Sequence, residues 1–79
     1  MKKVTIYSTP TCMYCHVAKQ FFADNKVEYT EYNVAADLEK RKEMVAKSGG
    51  LGVPVIDIDG EVIVGFDQPA ITRALGIHV

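Results

Sequence analysis

The chain has 79 residues, of which 48% are hydrophobic and 24% charged, with a formal net charge of −1. That length allows one domain, spanning 1–79, with a thin core that buries about two thirds of the unfolded surface. The even charge lacks the basic excess of a nucleic-acid binder, and no apolar run approaches the roughly 18 residues of a membrane span.

The chain starts with Lys2-Lys3, but Thr5, Ser8, Thr9 and Pro10 interrupt any signal-peptide core, so the sequence predicts a cytoplasmic protein. The run from Lys3 to Ser8 is rich in β-branched and aromatic residues and predicts a buried strand. Val4, Ile6 and Ser8 would lie on one face and Thr5 and Tyr7 on the other. Thr9-Pro10-Thr11 breaks it. Thr11 is the expected N-cap of a helix from Met13 to Asp24, whose apolar stripe is Val17, Ala18, Phe21 and Phe22. Asn25 is the expected left-handed residue that ends it.

Val27 to Val34 has strand composition, with an alternation that slips near Glu31, and predicts an edge strand. Asp37 to Ser48 predicts a second, more polar helix with Leu38, Met44 and Val45 apolar and Gly49-Gly50 as its stop. The charge run Glu39-Lys40-Arg41-Lys42-Glu43 is expected to be a solvated face, with Asp37 paired to Arg41 one turn on. Strands at Val53–Ile58 and Glu61–Val64 flank Asp59-Gly60, a strong signal for a two-residue hairpin turn. Asp67 caps a short last helix with Pro69 in its first turn and Ile71, Ala74 and Leu75 apolar, ended by Gly76. Phe21, Phe22, Val45 and Ile71 are the expected core.

The order is β-α-β-α-β-β-α. Two strands joined by a helix run parallel, so a four-stranded mixed α/β sheet flanked by three helices follows.

Cys12 and Cys15 are the only cysteines, two residues apart where the first strand gives way to the first helix. The cytosol keeps structural disulfides rare, so this C-x-x-C points to redox chemistry or metal binding. Unpaired N–H groups at a helix start favour a negative sulfur at Cys12, and Cys15 lies about one turn on. Cys12 is therefore the expected exposed nucleophile, which attacks a disulfide, and Cys15 the inward resolving thiol. His16 follows in the first turn, where it either tunes the thiolate, joins a metal site or is a plain exposed residue.

Val4-Thr5-Ile6-Tyr7, Cys12-Met13-Tyr14-Cys15-His16, Gly52-Val53-Pro54-Val55 and Val64-Gly65-Phe66-Asp67, in this order, resemble a glutaredoxin over nearly the whole chain. The resemblance implies the thioredoxin fold with strand order 2-1-3-4. It implies a thiol-disulfide oxidoreductase that acts on disulfide-containing proteins, with glutathione or a flavoprotein disulfide reductase as electron donor; a monomer with no tightly bound cofactor is expected. It also implies that Tyr14 walls the thiol ligand and that Pro54 is cis and faces the cysteines. Val53 would then offer its backbone to an extended substrate, and Gly65, Phe66 and Asp67 would bind the γ-glutamyl end of glutathione. Met13 stands where glutaredoxins usually carry proline, and Thr9 where they usually carry a basic residue. Gly65-Phe66 is similar to NrdH-type redoxins, which serve ribonucleotide reductase. The rival reading is a dimeric carrier of an iron–sulfur cluster or zinc, with the same cysteines from two chains as ligands.

Overall fold

The computed structural model describes residues 2–77. The elements are β1 (Val4–Ser8), α1 (Met13–Asp24), β2 (Thr30–Asn33), α2 (Leu38–Ser48), β3 (Val55–Ile58), β4 (Glu61–Val64) and α3 (Gln68–Leu75). They form the expected four-stranded mixed sheet, in the order β2-β1-β3-β4. β1 runs parallel to β2, with Ile6 opposite Glu31, and antiparallel to β3, with Tyr7 opposite Val55. β3 and β4 make the predicted hairpin, and both turn residues have positive φ, 50° at Asp59 and 94° at Gly60.

Side-chain alternation along the central strands divides the core in two. Val4 and Ile6 of β1 and Ile56 and Ile58 of β3 point to one face, where Ala18 and Phe22 of α1 and Ile71 and Ala74 of α3 cover them. Tyr7 and Val55 point to the other face and pack with Val34 and Met44 of α2. On that second face the Tyr7 hydroxyl donates to Glu43, and Lys47 donates to both Tyr7 (3.0 Å) and Asp57 (2.7 Å).

Several local expectations need correction. Cys12, not Thr11, caps α1, because its sulfur accepts the amide of Cys15, while Thr11 sits in a turn closed by Cys12 N–H to the Thr9 carbonyl. Asn25 has an ordinary φ of −99°; its side chain binds the Phe21 carbonyl, and Lys26 takes the left-handed position at φ 56°. The Val27 amide then reaches back to the Phe22 carbonyl at 2.8 Å, a helix-ending arrangement that uses up the first residue of the predicted strand. β2 consequently begins only at Thr30, at the sheet edge. β3 begins at Val55, since Pro54 has no N–H to give to a ladder. Asp37 caps α2 by accepting from Lys40 N–H, and the ion pairs along that helix are Lys40–Glu43 and Lys42–Glu39 rather than Asp37–Arg41. Phe21 and Val45 are only partly buried, and Val17 and Leu38 are exposed.

Candidate active site

β1 ends at Ser8, the turn through Pro10 follows, and α1 begins directly after Cys12. The first helical bond runs from His16 N–H to the Cys12 carbonyl at 3.3 Å, and the Cys15 N–H donates to Cys12 Sγ at 3.2 Å. The leading sulfur is thus a helix cap, with an amide of the first turn aimed at it. Both cysteines are free, Cys12 partly exposed and Cys15 fully buried. Burial pushes the Cys15 thiol up to about 12, and its hydrogen bond with Cys12 acts in the same direction; the backbone of Thr9 and the charge of Lys19 pull the other way. The two cysteines therefore have different environments, one partly exposed and amide-capped, the other fully buried.

The remaining predicted site residues gather at the same end of the sheet. The antiparallel register that sets Tyr7 opposite Val55 brings Val53 and Pro54 alongside the residues that follow β1. The Val53–Pro54 bond is cis, and Pro54 is buried. Gly65 N–H donates to the Pro54 carbonyl at 2.7 Å, which ties the exit of β4 to the entry of β3. Phe66 next to it is half-buried, its ring meeting Phe21 of α1 edge-on at 5.8 Å, so this loop is braced against the helix that carries the cysteines. Asp67 caps α3 through Ala70 N–H at 3.2 Å and is exposed. Tyr14 stands clear of the surface at 65% exposed, beside Met13 at 76%. The His16 ring Nε2–H donates to the Pro10 carbonyl at 2.9 Å, which fastens the turn ahead of the cysteines.

Three residues that the sequence pattern did not single out meet on the side of the sheet that α1 covers. Ser8, buried at the end of β1, donates its hydroxyl to Glu31 at 2.7 Å, and Lys19 donates to the same carboxylate oxygen at 2.8 Å. Lys19 lies four residues after Cys15, the spacing that puts two side chains on one helix face and that could have marked it. The Lys19 ammonium, then the Ser8 hydroxyl, hold the Glu31 carboxyl below its usual range, and the bond to Glu31 raises Lys19.

Among the described residues no group of three or more His, Cys, Asp or Glu side chains is placed to hold a metal ion. Among the same residues no helix is long and apolar enough to cross a membrane.

The glutaredoxin family model matches residues 4–63. A glutaredoxin-like 8.6 kDa protein from the rubredoxin operon of Clostridium pasteurianum is 42% identical over 72 residues, covering 91% of this chain and 96% of that one. Glutaredoxin 3 of Escherichia coli is 40% identical over 68 residues, 86% of this chain and 82% of the other. Among solved structures, a mutant of the thioredoxin-like protein BC3987 superposes with a TM-score of 0.91 at 33% identity, covering 99% of this chain and all of that one. The NrdH-redoxin of Escherichia coli, described as glutaredoxin-like with a thioredoxin-like activity profile, gives 0.83 at 25% identity over 98% of this chain and 96% of its own.

Proposed function

This chain belongs to the glutaredoxin family, and from that premise we propose that it reduces disulfides of proteins, or mixed disulfides with glutathione, through the Cys12/Cys15 dithiol. The observation that carries the reading is the pairing of a partly exposed, amide-capped Cys12 sulfur with a fully buried Cys15 one turn behind it.

The Cys12 thiolate attacks one sulfur of the substrate disulfide, the substrate S–S bond breaks, and the first substrate thiolate leaves and takes up a proton. Cys15 then gives up its proton and attacks Cys12 Sγ. A Cys12–Cys15 disulfide forms, the mixed disulfide breaks, and the second substrate thiolate departs. Two electrons have passed from the dithiol to the substrate, and a donor restores the dithiol.

Val53 and Pro54 line the approach, with the Val53 backbone offered to an extended substrate segment. Tyr14, exposed beside the motif, is the aromatic side chain available to pack against a thiol ligand. Gly65, Phe66 and Asp67, at the N-terminus of α3, take the γ-glutamyl end when glutathione is the ligand. The protein works in the cytoplasm as a monomer without a tightly bound cofactor. Glutathione and a flavoprotein disulfide reductase are the two candidate donors, and Thr9, which brings no cation for a glutathione carboxylate, favours the reductase.

The test offers the oxidised protein each donor in turn and follows loss of the Cys12–Cys15 disulfide, with Cys15→Ser as the companion. That variant should accumulate a mixed disulfide with substrate, visible by mass. Full turnover of protein disulfides by the serine variant would remove the dithiol mechanism.

A further inference from the structure

Cys15 has no exposed surface, yet its sulfur attacks only as the thiolate. Three polar side chains meet on its side of the sheet. Ser8, 1% exposed, donates to Glu31 Oε2 at 2.7 Å, and Lys19 Nζ donates to the same oxygen at 2.8 Å. α1 sets Lys19 one turn after Cys15, on the face that also carries Ala18 and Phe22 into the core. β1 and β2 bring up the other two: Ser8 shares its side of the strand with Val4 and Ile6, and Glu31 is the partner of Ile6 across the parallel ladder. Two donors on one oxygen hold the carboxylate, and the carboxylate holds the Lys19 ammonium, one helical turn on from Cys15.

We infer that Lys19, fixed by Glu31 and Ser8, is a positioning cation for the resolving half of the reaction: its charge stabilises the Cys15 thiolate as that sulfur displaces substrate from Cys12. The inference rests on the dithiol reading above. In this step Cys15 gives up its proton, the Cys12–Cys15 bond forms as the bond from Cys12 to substrate breaks, and the departing thiolate takes up a proton in balance. The charged or titratable groups that act on Cys15, Lys19 or Glu31 are Cys12, His16 and Lys19 of α1, Glu31 of β2 and Tyr29 just before it; β1 contributes the neutral Ser8, and Asp67 and Arg73 of α3, which covers the same face, are not among the groups that act on them. The Thr9 backbone and then the charge of Lys19 oppose the upward push of burial on the Cys15 thiol, and Lys19 is the one cation that does so. The serine–carboxylate clamp keeps that opposing charge in place at the cost of partly neutralising it.

An aromatic disulfide that releases a coloured thiol at each step tests this in a stopped-flow instrument. The first burst of colour reports attack by Cys12, and the second reports resolution by Cys15. Lys19→Met should leave the first phase nearly unchanged and slow the second about three- to tenfold at neutral pH, with its pH profile displaced upward by about half to one unit. Lys19→Gln should behave like Lys19→Met, and Lys19→Arg, which keeps the charge, should restore the wild-type profile. A second phase in the methionine and glutamine variants that matches wild type in rate and pH profile would overturn the inference. An arginine variant as slow as the methionine one would do the same, by showing that side-chain fit rather than charge matters. Absence of the first phase in the wild-type protein is a different failure: it removes the dithiol reading, and this inference with it.

Discussion

The amide of Cys15 donates to the sulfur of Cys12 across 3.2 Å, so the residue that opens the C-x-x-C motif is itself the cap of the helix that carries the other cysteine. One contact thereby ties the two cysteines together at the helix start, one partly exposed and the other buried. Reactivity should follow that division. Brief treatment of the folded, reduced protein with iodoacetamide at neutral pH should alkylate Cys12 and leave Cys15 unmodified, because Cys15 is inaccessible and its thiol is pushed up to about 12. Peptide mass mapping reads the result. Equal labelling of the two cysteines would contradict the asymmetry.

On the opposite face of the sheet, Asp57 is held by two donors. Lys47 donates to it at 2.7 Å and holds its carboxyl below the ordinary 3.8, and the Gly60 amide adds a further bond at 2.8 Å. A carboxyl lowered in the folded state contributes stability above its unfolded value, and that contribution is lost as pH falls through the folded value. Stability should therefore decline as pH drops below about 4, and Asp57→Asn should make that decline shallower. At pH 7 the same variant should cost about 1 kcal/mol, below the range for a buried hydrogen bond to a charged group because the Lys47 side chain is 35% exposed. Urea unfolding at several pH values measures both, and an unchanged acid limb in the variant would show that Asp57 is not one of its sources.

The core is small enough for one ring to decide whether the chain folds. Phe22 is fully buried between Ala18, Ile6 and the α3 residues Ile71 and Ala74. Phe22→Ala should cost about 3–5 kcal/mol, against a total that for a domain of this size is on the order of 4–12 kcal/mol. Phe21, half-buried against Phe66, should cost distinctly less when changed to alanine. Thermal denaturation of the two variants tests the order, which would be wrong if Phe21→Ala proved the more damaging.

Much of this was legible in the sequence because the signals were local. A strand of β-branched residues running into C-x-x-C, the Asp59-Gly60 turn, and the glycines at 49 and 76 that take left-handed conformations after α2 and α3 all rest on neighbouring residues, and the fold uses each as read. What failed involved competition between groups for the same backbone partner. Thr11 and Cys12 could each have capped α1, and the sulfur accepts the amide because Thr11 is spent in the preceding turn. Asn25 has the residue type for a left-handed position, but its side chain is worth more on the Phe21 carbonyl, which passes the strained φ to Lys26. The Lys19–Glu31–Ser8 cluster was out of reach for another reason: its members are 12 and 23 residues apart and meet only once β1 and β2 have paired.

Gly60 isolates a purely conformational cost. Its φ is 94°, and a Cβ there would meet nothing within 4 Å, so Gly60→Ala introduces strain without a clash. The expected loss is about 1–2 kcal/mol. Gly50→Ala is the control: it is equally uncrowded and has no left-handed φ, and it should be neutral or stabilise by about 0.4–1 kcal/mol through the unfolded chain. Chemical denaturation separates them, and equal effects at the two positions would mean that φ at Gly60 is not what matters.

Asp67 has two readings that a pair of variants can divide. Its carboxylate accepts the Ala70 amide at 3.2 Å, which makes it the cap of α3, and its exposed charge is available to an ammonium group. Asparagine caps as well as aspartate does but carries no charge, so Asp67→Asn should keep the melting temperature, whereas Asp67→Ala should lose about 1 kcal/mol. If the charge also holds the γ-glutamyl end of glutathione, both variants should raise KM for a glutathione mixed disulfide about tenfold or more, the worth of a charged hydrogen bond, while their activity on a protein disulfide without that group stays near wild type. A KM for the glutathione substrate that is unmoved in Asp67→Asn would leave Asp67 as a helix cap alone and take α3 out of the binding surface.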